Sequence, residues 1–189
     1  MGKGRLEAFT DGVIAIIITI MVLDIKVPAG ASLSALLSSL PMLLVYALSY
    51  ANIGIFWNNH HHMLHATERI NGRVLWANLL LLFWLSLGPF VIRWIGETDF
   101  ASLPTAAYGA VLAMSGFGYS LLQRALIAVN GRSSKLAAAL GNDTKGRLSL
   151  AIYLAGIPLA FLRPWIAIAL YVVVALLWFV PDRRIEAII

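Results

Sequence analysis

Asp11 stands at the start of an apolar run, Gly12 to Leu23, with Arg5, Phe9 and Thr10 just before it. A carboxylate costs about 2.5 to 3.5 kcal/mol at the centre of a membrane helix on insertion scales and less near its end, so an acid in a span faces a bundle interior, a partner or a water path. Glu7 lies four residues earlier on the same helical face, where like charges repel. The two acids therefore need cationic or hydrogen-bonding company. Arg5, six residues from Asp11, misses the favourable spacing of three or four, so the partner is expected from another helix on the same side of the membrane.

The second apolar run supplies candidates, since it closes on Trp57-Asn58-Asn59-His60-His61-His62. An imidazole or carboxamide donating to Asp11, with the Trp57 indole as a further donor, satisfies the charge and fixes the angle between two helices. Two sharper chemistries compete with this latch. His61 and His65 have the i, i+4 spacing of paired helical metal ligands, but only Glu68 offers a nearby third ligand, so no metal site is expected. Imidazole also titrates near neutral pH, which suits proton transfer. An enzyme built on His60, His61 or His62 is the weakest reading, because neither a nucleophile nor an acidic cluster accompanies them.

The elements that must position these groups are membrane helices. Of 189 residues, 60% are hydrophobic and 12% charged, with mean hydropathy +0.84, whereas a soluble domain carries about a quarter charged residues. Lipid must cover much of this surface, and one membrane domain over residues 1–189 is the simplest organisation. With no cysteine, disulfides and thiolate chemistry are excluded. The net charge of +5 sits in short segments between apolar runs, which is what membrane orientation requires, so no nucleic-acid partner is expected. Lys3 and Arg5 before an apolar stretch, with Ala29-Gly30-Ala31 after it, resemble a secretory signal, but Glu7, Asp11, Asp24 and Lys26 argue against cleavage.

Apolar runs long enough for a bilayer cover Ala8 to Val27, Leu33 to Asn58, Val74 to Ile95 and Thr105 to Val129. The remaining stretch, Leu148 to Val180, is too long for one crossing, and Arg163-Pro164 marks a turn in its middle, which predicts two short helices and six spans in all. With the amino terminus inside, eleven of the fourteen basic residues fall on inner segments, including Arg132, Lys135, Arg183 and Arg184, while Lys26, Arg93 and Arg163 fall outside. That bias favours six spans with both termini cytoplasmic. Pro89 and Pro158 lie inside spans, where each removes a backbone donor. Gly109, Gly116 and Gly118 with Ala106, Ala110 and Ala113 give the fourth span a surface for close helix contact. Arg132 to Arg147 reads as a solvated basic connector.

On a 3.6-residue period Phe9, Gly12, Ile16, Thr19, Ile20 and Leu23 share one face of the first helix, and Ala15, Ile18 and Val22 fall with Asp11 on another. Branched aliphatic side chains interrupted by one hydroxyl suit a narrow apolar constriction with a coordinating ring beside it, though the same pattern also serves plain helix packing.

Arg5-x-x-x-Phe9-Thr10-Asp11, six spans, and Trp57-Asn58-x-His60-His61 together resemble the transmembrane protein 175 family of potassium channels, in its prokaryotic single-repeat form. The family motif has serine where this chain has Thr10, which keeps the hydroxyl. The resemblance implies an all-α membrane protein with four copies of a six-helix subunit around a pore lined by first helices. It also implies a pore without the usual potassium-channel filter, and the chain has no Thr-Val-Gly-Tyr-Gly. Carried over from the motif, Ile16 is the narrow hydrophobic constriction, Ile20 and Leu23 are further apolar rings, and Thr19 is the hydroxyl ring favouring potassium. Arg5, Phe9, Thr10 and Asp11 are then scaffold and gating residues packed against Trp57, Asn58, His60 and His61 behind the pore. No cofactor is implied beyond the permeant K+ ion. The partners implied are itself as a homotetramer, membrane lipid and potassium ions, in the cell membrane. The alternative is a proton-linked transporter that uses Asp11 and the His60–His62 cluster.

Overall fold

A computed structural model describes residues 2–131, 133–140 and 143–179 of the chain. Among the described residues eight helices follow one another: α1 (Lys3–Leu23), α2 (Leu33–His65), α3 (Gly72–Ser86), α4 (Gly88–Glu97), α5 (Ser102–Asn130), α6 (Lys135–Leu140), α7 (Thr144–Leu162) and α8 (Pro164–Phe179). Five stretches of the described residues are long and apolar enough to cross a membrane, with α3 and α4 together counting as one, and α8 is a further apolar helix of 16 residues. Arg132, Val180, Arg183 and Arg184, which entered the expectation of a sixth span and its direction, lie outside the described residues.

Helix boundaries follow local chemistry. The Ser32 hydroxyl accepts the Ala35 N–H at 3.2 Å to start α2, the Asn71 side chain accepts from Val74 at 3.1 Å to start α3, and the Asp143 carboxylate accepts from Gly146 at 3.0 Å to start α7. Leu87 interrupts the third span, and Pro89 then sits in the first turn of α4, where its missing N–H costs no helical bond. The span expected over Val74 to Ile95, with Pro89 inside it, is therefore built of two helical segments. Pro158, by contrast, is carried inside α7, and Pro41, which periodicity gave no reason to notice, inside α2.

Helix α5 is the hub, packed most extensively against α7 and α3 and also against α4 and α8. Small residues make the approach close. A Cβ on Gly118 would stand 3.1 Å from the Cα of Leu81 in α3, and Gly109 in α5 and Gly156 in α7 both abut the ring of Tyr171, which is fully buried in α8. Tyr153 packs beside Tyr171, and the Trp178 indole donates to Ser149 at 2.7 Å, so α7 and α8 run antiparallel about the extended turn at Arg163. At the end of α5, the Asn130 side chain accepts from the N–H groups of Glu68 and Arg69 and donates to the Arg69 carbonyl, which ties the α2–α3 loop to α5. Helices α1 and α2 lie against each other, with α1 also resting on α3 and α4.

The second span, expected over Leu33 to Asn58 and closing on the Asn-His tract, is one helix that continues to His65, so Trp57 and the histidines project from helix. The Arg132 to Arg147 segment is more than a solvated connector, because it contains α6, which buries Leu136 completely. The alanine- and leucine-rich stretch that forms α6 is only six residues long, too short for periodicity to reveal.

Candidate functional site

Helix α1 divides into two sides. Leu6, Thr10, Ile14, Ile17 and Met21 recur every three or four residues and are buried against the rest of the subunit. Phe9, Ile16, Ile20 and Leu23 are 49%, 57%, 44% and 82% exposed, with Gly12 and Thr19 exposed among them. One subunit thus leaves an apolar strip uncovered along the length of α1. The Thr19 hydroxyl lies 3.0 Å from the Ala15 carbonyl and 2.9 Å from that of Ile16. Its proton is committed to its own helix, so what the hydroxyl offers the exposed side is oxygen lone pairs.

Behind the strip, polar side chains fasten α1 to its neighbours. The Trp57 indole N–H donates to Asp11 Oδ1 at 2.8 Å, joining α2 to α1. The Asn78 carboxamide, from α3, donates to the Thr10 hydroxyl at 2.9 Å and pairs through its oxygen with His60 Nε2 at 2.8 Å. Thr10, Asn78 and His60 are all buried. With Asn78 donating to Thr10, its oxygen must accept, so His60 carries its proton on Nε2 and the chain of donors runs from imidazole to carboxamide to hydroxyl. Toward the amino-terminal end, His61 Nδ1 lies 3.6 Å from Glu7 Oε1, and the His61 ring stacks on Trp57 with centroids 6.1 Å apart. Asn58 lines a groove of ≈ 640 Å³ between α1 and α2 with Asp11, Tyr50 and Trp57.

This arrangement differs from the expected latch in its donors. Asp11 takes its side-chain hydrogen bond from tryptophan, not from a histidine or asparagine, and His60 turns instead to α3. Arg5 is exposed, with no side-chain partner among the described residues. His61 and His65 come within 5.2 Å ring to ring, but among the described residues no group of three histidine or acidic side chains converges as a metal site would require. Nδ1 of His62 is buried without a partner among the described residues.

Sequence reasoning missed Asn78, which links α3 to the site. Its only signal was polarity, a carboxamide one residue before Leu79-Leu80-Leu81-Leu82, where an unsatisfied amide in lipid is costly and demands a partner.

Comparison with known proteins follows the same residues. A family model described as the endosomal/lysosomal potassium channel TMEM175 matches residues 5–89, which run from α1 to the first turn of α4 and include every member of the network above. A potassium channel of a Chryseobacterium species is 50% identical over 186 residues, covering 98% of this chain and 97% of that one. The chain belongs to the TMEM175 family. The crystal structure of a lysosomal potassium-selective channel TMEM175 homolog from Chamaesiphon minutus superposes with a TM-score of 0.81 at 28% identity, covering 95% of this chain and 97% of that one. The human endosomal/lysosomal proton channel TMEM175 is 35% identical over 117 residues, 55% of this chain but 23% of the human protein. TMEM175 relatives of both kinds are therefore named as channels, for potassium in the bacterial chains and for protons in the human one.

Proposed function

We propose that this chain is the subunit of a potassium channel in the cell membrane, with six spanning helices, both termini cytoplasmic, and four copies surrounding a pore lined by α1. The observation that carries the reading is the uncovered strip of α1. Phe9, Ile16, Ile20 and Leu23 are exposed while another side of the same helix is buried and tied to α3 by the Asn78–Thr10 hydrogen bond, with the exposed Trp57–Asp11 bond joining α1 to α2. A helix packed on one side and oriented by these contacts presents its free face in a defined direction, which an axial pore needs. The bacterial relatives named potassium channels, one of them matched over almost the whole chain, support the choice of ion.

The mechanism follows from the residue types. A ring of Ile16 side chains offers nothing in place of an ion's hydration shell, so when narrow it is dry and closed, and it must widen or rotate before hydrated ions pass. Ile20 and Leu23 extend the apolar lining. A ring of Thr19 oxygens, with lone pairs turned to the axis, favours the cation that sheds water more readily, potassium over sodium. Selectivity is modest, because one hydroxyl ring replaces the several carbonyl sites of the usual filter.

Thr19→Val tests the assignment. The variant keeps its size and helix, and its reversal potential under opposed potassium and sodium gradients moves toward that of sodium, whereas Thr19→Ser stays near the native value. A native-like potential in Thr19→Val assigns selectivity elsewhere. The proton-linked transporter has less support, since Asp11 is engaged by an indole that does not titrate and His60 is engaged by Asn78.

A further inference from the structure

The exposed strip of α1 ends on a charge. Ile16, Ile20 and Asp24 succeed one another at intervals of four residues, the spacing that stacks side chains along one helical face, and all three line one groove between α1 and α4 together with Phe90 and Arg93. Asp24 is the residue that closes α1, its N–H directed at the Ile20 and Val22 carbonyls. A carboxylate there stands beside the negative end of the helix dipole, an unfavourable place for an anion. Arg93 offsets it from α4: Nη1 lies 3.5 Å from Asp24 Oδ1 while Nε donates to Glu97 Oε1 at 3.0 Å. One guanidinium is therefore divided between two carboxylates, with Lys26 at the rim of the adjoining groove. Asp24 is only partly compensated and stays 22% exposed.

We propose that Asp24 sets the electrostatic potential at the outer mouth of the α1-lined pore and concentrates cations there, with Arg93 tuning that charge and positioning it at the rim. The inference rests on the reading of α1 as the pore helix. The rest of the strip is apolar apart from one hydroxyl and attracts no ion, so cation supply to the constriction has to come from the mouth. A ring of carboxylates at an entrance raises local counter-ion concentration through its field without binding the ion directly, and it does so most at low ionic strength. Four subunits place four Asp24 carboxylates around the axis.

The test is single-channel current from the full chain in bilayers of neutral phosphatidylcholine, which add no surface charge, for the native protein, Asp24→Asn, Asp24→Glu and Arg93→Gln. Symmetric KCl is used at about 10 mM and about 1 M, where the screening length falls from about 30 Å to about 3 Å. At low salt Asp24→Asn lowers current entering from the outer side by about twofold or more, giving rectification, and the difference disappears at high salt. Arg93→Gln raises the same current at low salt, and Asp24→Glu remains near native. Native-like current from Asp24→Asn at low salt overturns the mouth role while leaving the pore intact. A loss that is equal at both salt concentrations and in both directions also overturns it, since a structural defect does not depend on screening. Absence of current from the native protein removes the α1 pore itself, and this proposal with it.

Discussion

The indole nitrogen of Trp57 sits 2.8 Å from a carboxylate oxygen of Asp11, so the acid that stands at the start of the first apolar run is held by the second helix. Asp11 is exposed on the surface of the single subunit, and Trp57 is 42% exposed beside it. The bond acts as an orienting contact between two helices more than as a buried anchor.

Replacing Trp57 with Phe keeps the ring and removes the donor. A hydrogen bond to a charged group in a partly exposed place contributes about 0.5 to 1.5 kcal/mol. Trp57→Phe is therefore expected to lower thermal stability in detergent only slightly, while shifting channel open probability up to about tenfold if the bond exists in one gating state alone. Open probability from single-channel records, set beside the melting temperature, checks both halves.

Asn78 is the more costly position. Asn78→Leu leaves the buried Thr10 hydroxyl and His60 Nε2 without their partner. Two orphaned polar groups cost about 2 to 4 kcal/mol together. Thermal unfolding should show a larger loss than for Trp57→Phe. Thr10→Ser, which retains the acceptor, should stay near native, and Thr10→Val should fall between.

The glycines of α5 separate close approach from open surface. A Cβ on Gly118 presses on the backbone of Leu81, and one on Gly109 meets the buried Tyr171 ring, whereas Gly116 has nothing within 4 Å. Gly118→Val and Gly109→Val are expected to destabilise by about 1 to 3 kcal/mol or more, as overpacking does, and Gly116→Ala to be neutral or slightly stabilising through helix propensity. Melting temperatures of the three variants in one detergent decide the order.

What the sequence made legible depended on rarity. A charge at the edge of an apolar run is uncommon, so Asp11 led to Trp57, and Arg163-Pro164 marked the turn between α7 and α8 because proline cannot continue a helix with all its bonds. Spans were readable from length and hydropathy, but their ends were not, since α2 carries its helix through a polar Asn-His tract that interfacial water tolerates. Partner choice among histidines was also hidden. His60 and His61 are adjacent, so they point about 100° apart on the helix, one toward Asn78 and the other toward Glu7, and nothing local says which neighbour lies on either side. Asp24 was passed over because its role shows only when α4 brings Arg93 beside it.

The measurement that bears most directly on the pore is ionic current from purified native protein and Ile16→Asn in planar bilayers under opposed potassium and sodium gradients. Ile16 is 57% exposed on the free face of α1, so the substitution disturbs little of the subunit core. An asparagine ring wets the constriction that isoleucine keeps dry. The native reversal potential is expected on the potassium side, with a severalfold larger, less gated current from Ile16→Asn. Native and variant currents of the same size, gating and selectivity would contradict it, because the face of α1 that carries Ile16 would then not line the path of the ion.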